Sequence, residues 1–263
     1  MGKPRVLVIR TAGINCDEEV MHCWRIAGAD PRLAHVSALA SNPAAIDEAD
    51  IVTIPGGFSY GDDIAAGAIL AQRITLDLAD ALRRLVERGG GVLGICNGFQ
   101  ALVKTGLLPG GDIGSESVTV TYNDSARFEA RWVRLRVNTD RCRFLTPPED
   151  AGAPTHLEMP VEHAEGKVVT RDDTVAADLD RRGHIALQYV DERGRSDSYP
   201  ANPNGSVMGI AGLCDSTGRI FGLMPHPDRH FDPTHHPLWT RGDRGSPPDG
   251  LRVFLSAVAH WSA

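Results

Sequence analysis

The chain has 263 residues, 42% of them hydrophobic, and a formal net charge of −7. That length allows one large domain or two small ones, and that composition can fill a sizeable core. The acidic balance speaks against a general nucleic-acid binder, which normally presents a basic face. Five cysteines without framework spacing point to free thiols in a reducing compartment. The apolar run near the N-terminus, Val6–Ile9, is too short for a signal-peptide core or a membrane span. The chain therefore reads as cytoplasmic, with neither nucleic acid nor membrane among its expected partners.

In chain order, Val6–Ile9 predicts a strand buried on both faces. Asp17 to Ala27 follows with Val20, Cys23, Trp24 and Ala27 spaced for one helical face. Ala34-His35-Val36 predicts a weak short strand. Ile51–Ile54 predicts a strong one, ended by Pro55-Gly56-Gly57. A long helix is expected from Ala68 to Arg88, stopped by Gly89-Gly90-Gly91. The apolar Gly91-Val92-Leu93 then reads as a buried strand leading into a helix that contains Ala101–Lys104. This alternation implies an α/β fold with a mostly parallel central sheet and helices on both faces. After about residue 115 the texture changes. Val118–Tyr122, Arg131–Val137, His156–His163, His184–Val190 and Arg219–Leu223 read as strands separated by turns, with few convincing helices before Leu251–His260. An antiparallel lobe or sheet extension is expected there. Pro147–Pro154 reads as a loop. Phe231–Gly250, with four prolines and three glycines, reads as an irregular surface segment.

The chemistry concentrates in Gly94-Ile95-Cys96-Asn97-Gly98-Phe99-Gln100. A residue bracketed by glycines two positions either side, at a strand-to-helix junction, describes a nucleophile elbow. Here the nucleophile is Cys96. The following helix N-terminus favours a thiolate and offers the Asn97 N–H as an oxyanion donor. The bland alternative for Cys96 is a buried thiol acting as a small hydrophobe, which is the default for Cys16, Cys23, Cys142 and Cys214.

A nucleophilic thiol needs a base and a group that orients the base. His226 follows the strand-like Ile220–Leu223, and Asp228 lies two residues on, close enough to fix a tautomer. A turn histidine between two prolines is the competing reading of His226. The glycine-rich Ile54-Pro55-Gly56-Gly57-Phe58-Ser59-Tyr60-Gly61-Asp62 ends a central strand and is the candidate source of a second oxyanion donor. It lacks the Gly-Lys-Ser/Thr ending of a P-loop. A metal site built from His226, His230, His235 and His236 with Asp228 and Asp232 is disfavoured: Pro225 and Pro227 oppose a regular helix, and no cysteine pair has zinc spacing. Exposed loop histidines are expected instead, and no metal.

These residues resemble a class I glutamine amidotransferase, and more narrowly the PurQ family, the glutaminase subunits of phosphoribosylformylglycinamidine synthase. Beyond the elbow, the resemblance rests on Gly13-Ile14-Asn15-Cys16-Asp17-Glu18, the Gly-Gly-Phe-Ser-Tyr-Gly-Asp loop, Gly106-Leu107-Leu108-Pro109-Gly110, Pro160–Lys167, Asn202-Pro203-Asn204-Gly205-Ser206 and Met224–Arg229. It implies a flavodoxin-like three-layer fold in which residues 1–263 form a single amidotransferase domain. It also implies that Cys96 attacks glutamine to form a glutamyl thioester, that His226 relays protons and that Asp228 orients it. The N–H groups of Gly57 and Asn97 would form the oxyanion hole, with Gln100 and Gly56 at the substrate. No cofactor is expected in this chain; ATP and Mg are expected on a synthetase partner, PurL, accompanied by the small subunit PurS. One departure stands out: the family usually carries glutamate where this chain has Asp228. Two other readings compete, a stand-alone cysteine hydrolase on a related fold and an inactive scaffold subunit.

Overall fold

A computed structural model describes residues 2–111, 113–146, 154–241 and 247–262. The first half alternates β1 (Arg5–Arg10), α1 (Asp17–Ala27), β2 (Asp30–His35), α2 (Val36–Ser41), β3 (Ile51–Ile54), α3 (Ala68–Arg73), α4 (Ala79–Glu87), β4 (Gly91–Ile95) and α5 (Asn97–Thr105). The second half carries β5 (Val118–Thr121), β6 (Glu129–Val137), β7 (His156–His163), β8 (Lys167–Thr170), α6 (Asp173–Arg181), β9 (Ile185–Tyr189), β10 (Ile210–Cys214), β11 (Ile220–Leu223) and α7 (Asp249–Trp261).

Nine of these strands form one sheet in the order β2-β1-β3-β4-β11-β10-β9-β6-β7. From β2 to β11 every neighbour runs parallel. From β11 onward every pairing is antiparallel. The late strands therefore extend the sheet and do not form a separate lobe; β5 and β8 alone pair in a small antiparallel ribbon. Every residue of β3, β4 and β11 is buried. Because successive side chains point to opposite faces, both faces of this central region are covered, which is the three-layer arrangement. Helix α1 packs on α7 through the buried Trp24, whose ring meets Phe254 edge-on and whose indole N–H donates to Thr53 Oγ1 at 3.1 Å.

Several sequence expectations shift. The weak strand at Ala34–Val36 is the end of a longer one, Asp30–His35, and Val36 instead opens α2, where the His35 side chain accepts from the Ser37 N–H. Pro31 is tolerated because β2 is an edge strand, where a missing donor costs little. The long helix ends its first segment at Arg73, passes through a π-type turn at Ile74–Leu78 and resumes as α4, with Ile74 and Leu78 both facing the core. Helix α6 went unpredicted because only Ala176 and Leu179 are buried along it. Strand β10 was missed because Gly212 interrupts its short apolar run. Residues 147–153 of the expected Pro147–Pro154 loop, and 242–246 of the Phe231–Gly250 segment, lie outside the described residues.

Candidate active site

Three adjacent parallel strands, β3, β4 and β11, end on the same side of the sheet and deliver the three pieces of the site. Strand β4 delivers Cys96. This residue has φ 50° and ψ −104°, a conformation that L-residues rarely adopt. The two bracketing glycines explain how it is reached. A Cβ on Gly94 would lie 2.6 Å from Leu102 Cδ1 and 2.7 Å from the Gly98 carbonyl oxygen. A Cβ on Gly98 would lie 1.9 Å from the Ile54 carbonyl oxygen. The elbow is thus pressed against the end of β3, and side chains at either bracket position are excluded. Cys96 is buried, and its thiol points at the Glu162 carbonyl oxygen, 3.7 Å away.

Strand β3 delivers Gly56 and Gly57. Gly57 has φ +142° and lies so close to the chain at residues 13–15 that a Cβ there would sit 2.7 Å from the Gly13 oxygen. The Gly13–Cys16 segment straps this loop down: the Phe58 N–H donates to Gly13 O at 2.8 Å and the Tyr60 N–H to Ala12 O at 2.8 Å. The Cys16 N–H donates to Gly56 O at 3.4 Å. In a trans peptide the N–H opposes the C=O, so the Gly57 N–H points away from Cys16.

Strand β11 delivers His226, anchored by its N–H on Pro160 O at 2.8 Å. Asp228 follows on the short 3-10 turn Pro227–Arg229, which brings its carboxylate directly to the imidazole, Oδ1 lying 3.3 Å from Nδ1. The shorter aspartate thus reaches the ring without an intervening bridge. The alignment is loose, however: neither ring nitrogen and neither carboxylate oxygen makes a well-directed hydrogen bond, although both side chains are buried. Loose catalytic hydrogen bonds are common before substrate binds. Burial disfavours the charged imidazole, but the Asp228 carboxylate, then Cys96, then the close side chains of Asp228 and Cys16 outweigh it and raise His226 well above its ordinary pKa of 6.5. A neighbouring His163 goes the other way: burial first, and the His226 charge second, push it down to about 3, so it is neutral.

Gly56 shows how closely these pieces converge. A Cβ built there would meet His226 Cε1 at 2.7 Å, and Cys16 Sγ and Cys96 Cβ at 3.4 Å each. Sequence reasoning left Cys16 as a small hydrophobe, yet it is part of this site. So is Arg229, which donates to Cys16 Sγ at 3.6 Å and pairs with Glu162 at 3.2 Å. The signal was present in the family-like Asn15-Cys16-Asp17 run, but nothing local to it says which strand end it straps. Cys23, Cys142 and Cys214 are buried and free, as their default reading has it.

The structure brings Gln100 and Asn97 together with Asp62 in a buried network. Asn97 Nδ2 donates to Gln100 Oε1 at 2.9 Å and to Asp62 Oδ1 at 3.0 Å, and the Ser59 N–H donates to Asn97 Oδ1 at 3.2 Å. Gln100 Nε2 donates to the Glu165 carbonyl. Both ends of the Gln100 amide are thereby engaged within the chain. The histidines of the C-terminal segment are not all exposed as expected. His230 and His236 are buried around Trp132, the first held by Glu158 O at 2.8 Å and the second by Glu158 Oε2 at 2.9 Å, while His235 is exposed. They do not gather with His226 into a metal-binding group among the described residues. Two other acidic residues of this region are engaged elsewhere: Glu162 is turned to Arg229 and Asp232 caps its own turn at Thr234. A surface cleft of about 640 Å³ is lined by Trp132, Arg134, Tyr199 and Leu238 and includes none of Cys96, His226 and Asp228.

A mixed sheet of this order, with a cysteine elbow, a histidine-acid pair and a strapped glycine loop at adjacent strand ends, defines a glutamine amidotransferase. The model of the CobB/CobQ-like glutamine amidotransferase domain matches residues 3–261. The chain is 41% identical over 259 residues to the phosphoribosylformylglycinamidine synthase subunit PurQ of Dehalococcoides mccartyi, covering 98% of each protein. It is 37% identical over 269 residues to that of Archaeoglobus fulgidus, covering 97% of this chain and 96% of the relative. It superposes on a chain of the PurLQS structure from Thermotoga maritima with a TM-score of 0.71 at 30% identity, covering 97% of this chain and 98% of that one. The chain belongs to the PurQ family, the glutaminase subunits of phosphoribosylformylglycinamidine synthase in purine biosynthesis.

Two outcomes follow from this geometry. Gly98→Ala drives a methyl group into the Ile54 carbonyl, so the elbow must open or β3 must shift. Urea unfolding should show a loss of about 1–3 kcal/mol or more, and reactivity of Cys96 toward a glutamine analogue should fall with it. For His226, the raised pKa means that its pairing contributes full stability below the ordinary value of 6.5, and that this contribution is lost as pH rises through the elevated value in the folded state. Asp228→Asn removes the chief attraction, so the NMR titration midpoint of His226 should move down. An unmoved midpoint would contradict the pairing.

Proposed function

We propose that the chain hydrolyses glutamine to glutamate and ammonia through Cys96, and passes the ammonia to an ATP-dependent synthetase. The Cys96 thiolate attacks the side-chain amide carbon. The His226 imidazolium then gives its proton to the departing ammonia, leaving a glutamyl thioester. Neutral His226 next takes a proton from water, whose oxygen attacks the thioester carbonyl and releases glutamate and the thiolate. Asp228 holds the ring in the tautomer this cycle needs. The observation that carries the reading is the convergence of Cys96 Cβ and His226 Cε1 on the single bare backbone of Gly56.

The N–H groups of Asn97 and Gly57 suit the oxyanion. The first opens α5, where no intrahelical acceptor exists, and the second points away from the strap that holds its own peptide. Each donor of this kind contributes on the order of 3 kcal/mol to lowering the barrier. Gly56 leaves room at the substrate. Gln100, with its amide engaged by Asn97 and Glu165, acts by holding these segments in place. Asp228 takes the third place even though it is shorter than the family's usual glutamate, because its turn brings the carboxylate to 3.3 Å from the ring.

The likeness to a chain of PurLQS supports partners of the PurL and PurS kind. In this reading ATP and Mg belong to the synthetase and none to this chain. Phe58, in the loop beside the elbow, and Phe128 are half exposed with ring centroids 6.5 Å apart, an apolar pair suited to cover by a partner. No described helix is long and apolar enough to cross a membrane.

The test uses the assembled complex. Cys96→Ala should abolish glutamine-dependent amidine formation and leave the ammonium-dependent rate intact, because the thiol acts only in making ammonia. Retained glutaminase activity in that variant would overturn the assignment. The isolated chain should turn glutamine over slowly and speed up when the synthetase and its substrates are added; a full rate without any partner would favour the stand-alone hydrolase.

A further inference from the structure

Cys16 is a nucleophilic group at the site that the proposed reaction does not use. Its Sγ, a ring nitrogen of His226 and a carboxylate oxygen of Asp228 all lie within 4.8 Å of one another, and all three residues are buried. A second observation is independent of that spacing. Both ring nitrogens of His226 and both oxygens of Asp228 lack a well-directed hydrogen-bond partner, and these side chains are only 2% and 0% exposed. Buried polar atoms of this kind are normally satisfied, and an imidazole nitrogen and a carboxylate oxygen grouped with a thiol make the donor set of a thiophilic cation.

We propose that Cys16, His226 and Asp228 form a site for a thiophilic divalent cation such as Zn²⁺, whose occupancy takes the base out of the triad. Sulfur, imidazole nitrogen and carboxylate oxygen are all established zinc ligands, at about 2.0–2.3 Å, which places ligand atoms about 3.6 Å apart around a tetrahedral ion. Side-chain rotations of about 1 Å close the present spacing to that value. Arg229 donates to the Cys16 sulfur at 3.6 Å, and Cys16 sits at the N-terminal cap of α1. Glu162 at 3.2 Å and Glu19 at 3.8 Å offset the arginine's charge, so the pocket does not repel a cation. On binding, the Cys16 thiol loses its proton to solvent and the sulfur lone pair goes to the metal. The ring nitrogen that binds the ion is no longer free to carry protons. The sequence spoke against a metal group containing His230, His235 and His236, and the set that comes together contains none of these three.

Metal binding here does not depend on the glutaminase reading, whereas its effect on turnover does, and the two are tested separately. The full chain, reduced and stripped by a chelator, is titrated with Co²⁺ alone and its absorbance is recorded. A thiolate-to-cobalt charge-transfer band with tetrahedral visible bands should appear in the wild type and in Cys96→Ala. It should vanish in Cys16→Ala and in His226→Gln, and Zn²⁺ should displace it. Cys16→Ser, which keeps the size of the side chain, guards against a folding defect and should also lose the band. Absence of the band in the wild type, or a band kept in Cys16→Ser and lost in Cys96→Ala, would overturn the site. In the assembled complex, Zn²⁺ should then suppress the glutamine-dependent rate, reversibly on chelation, and spare the ammonium-dependent one. Equal suppression of both would show that the ion acts elsewhere.

Discussion

The site depends on one steric constraint: the backbone of the elbow lies against the end of β3. With the Gly98 Cα pressed toward the Ile54 carbonyl, no side chain fits there, and Cys96 is carried into its positive-φ conformation by the turn that this approach demands. The approach is possible because β3 and β4 are direct parallel neighbours in the buried centre of the sheet. The same sheet order sets β11 on the other side of β4, so that His226 emerges next to the thiol. The spacing of Cys96 and His226 is therefore a consequence of strand order, and the loops refine it.

Charge is managed around that frame with few groups. Arg229 links the Cys16 thiol to Glu162, whose backbone carbonyl faces the Cys96 thiol. Asp228, with no exposure, faces His226 at 3.3 Å and makes the imidazole a stronger base than burial alone would permit. The contact is direct but poorly aligned, which leaves buried polar atoms free to engage substrate, or an ion. His163 stays neutral beside it, so the site carries one titrating imidazole rather than two.

Much of this was legible in the sequence, for physical reasons that differ by element. The elbow, the strands on either side of it and helix α1 were readable because glycine brackets, short apolar runs and a helical stripe are local signals. His226 and Asp228 were readable because they follow a buried strand at a spacing that lets them touch. What was not legible depended on the fold. Cys16 is more than two hundred residues from Arg229 in sequence and meets it only because α1 and the turn after β11 share one end of the sheet. Strand β9 was legible as a strand but not in its placement, since nothing within Ile185–Tyr189 says that it extends the sheet, and Ile210–Cys214 was not legible even as a strand. The burial of His230 and His236 also escaped notice, because Trp132, around which they pack, lies on β6 about a hundred residues earlier. Their proline-rich surroundings read as an exposed loop.

The central claim is that Cys96, and not the nearby Cys16, is the nucleophile that glutamine meets. The most direct measurement is mass spectrometry of the assembled protein after reaction with a glutamine-like electrophile, with the modified peptide sequenced. The account predicts a single adduct on Cys96, prevented by excess glutamine and absent in His226→Gln. An adduct on Cys16, or labelling of Cys96 that glutamine does not prevent, would contradict it.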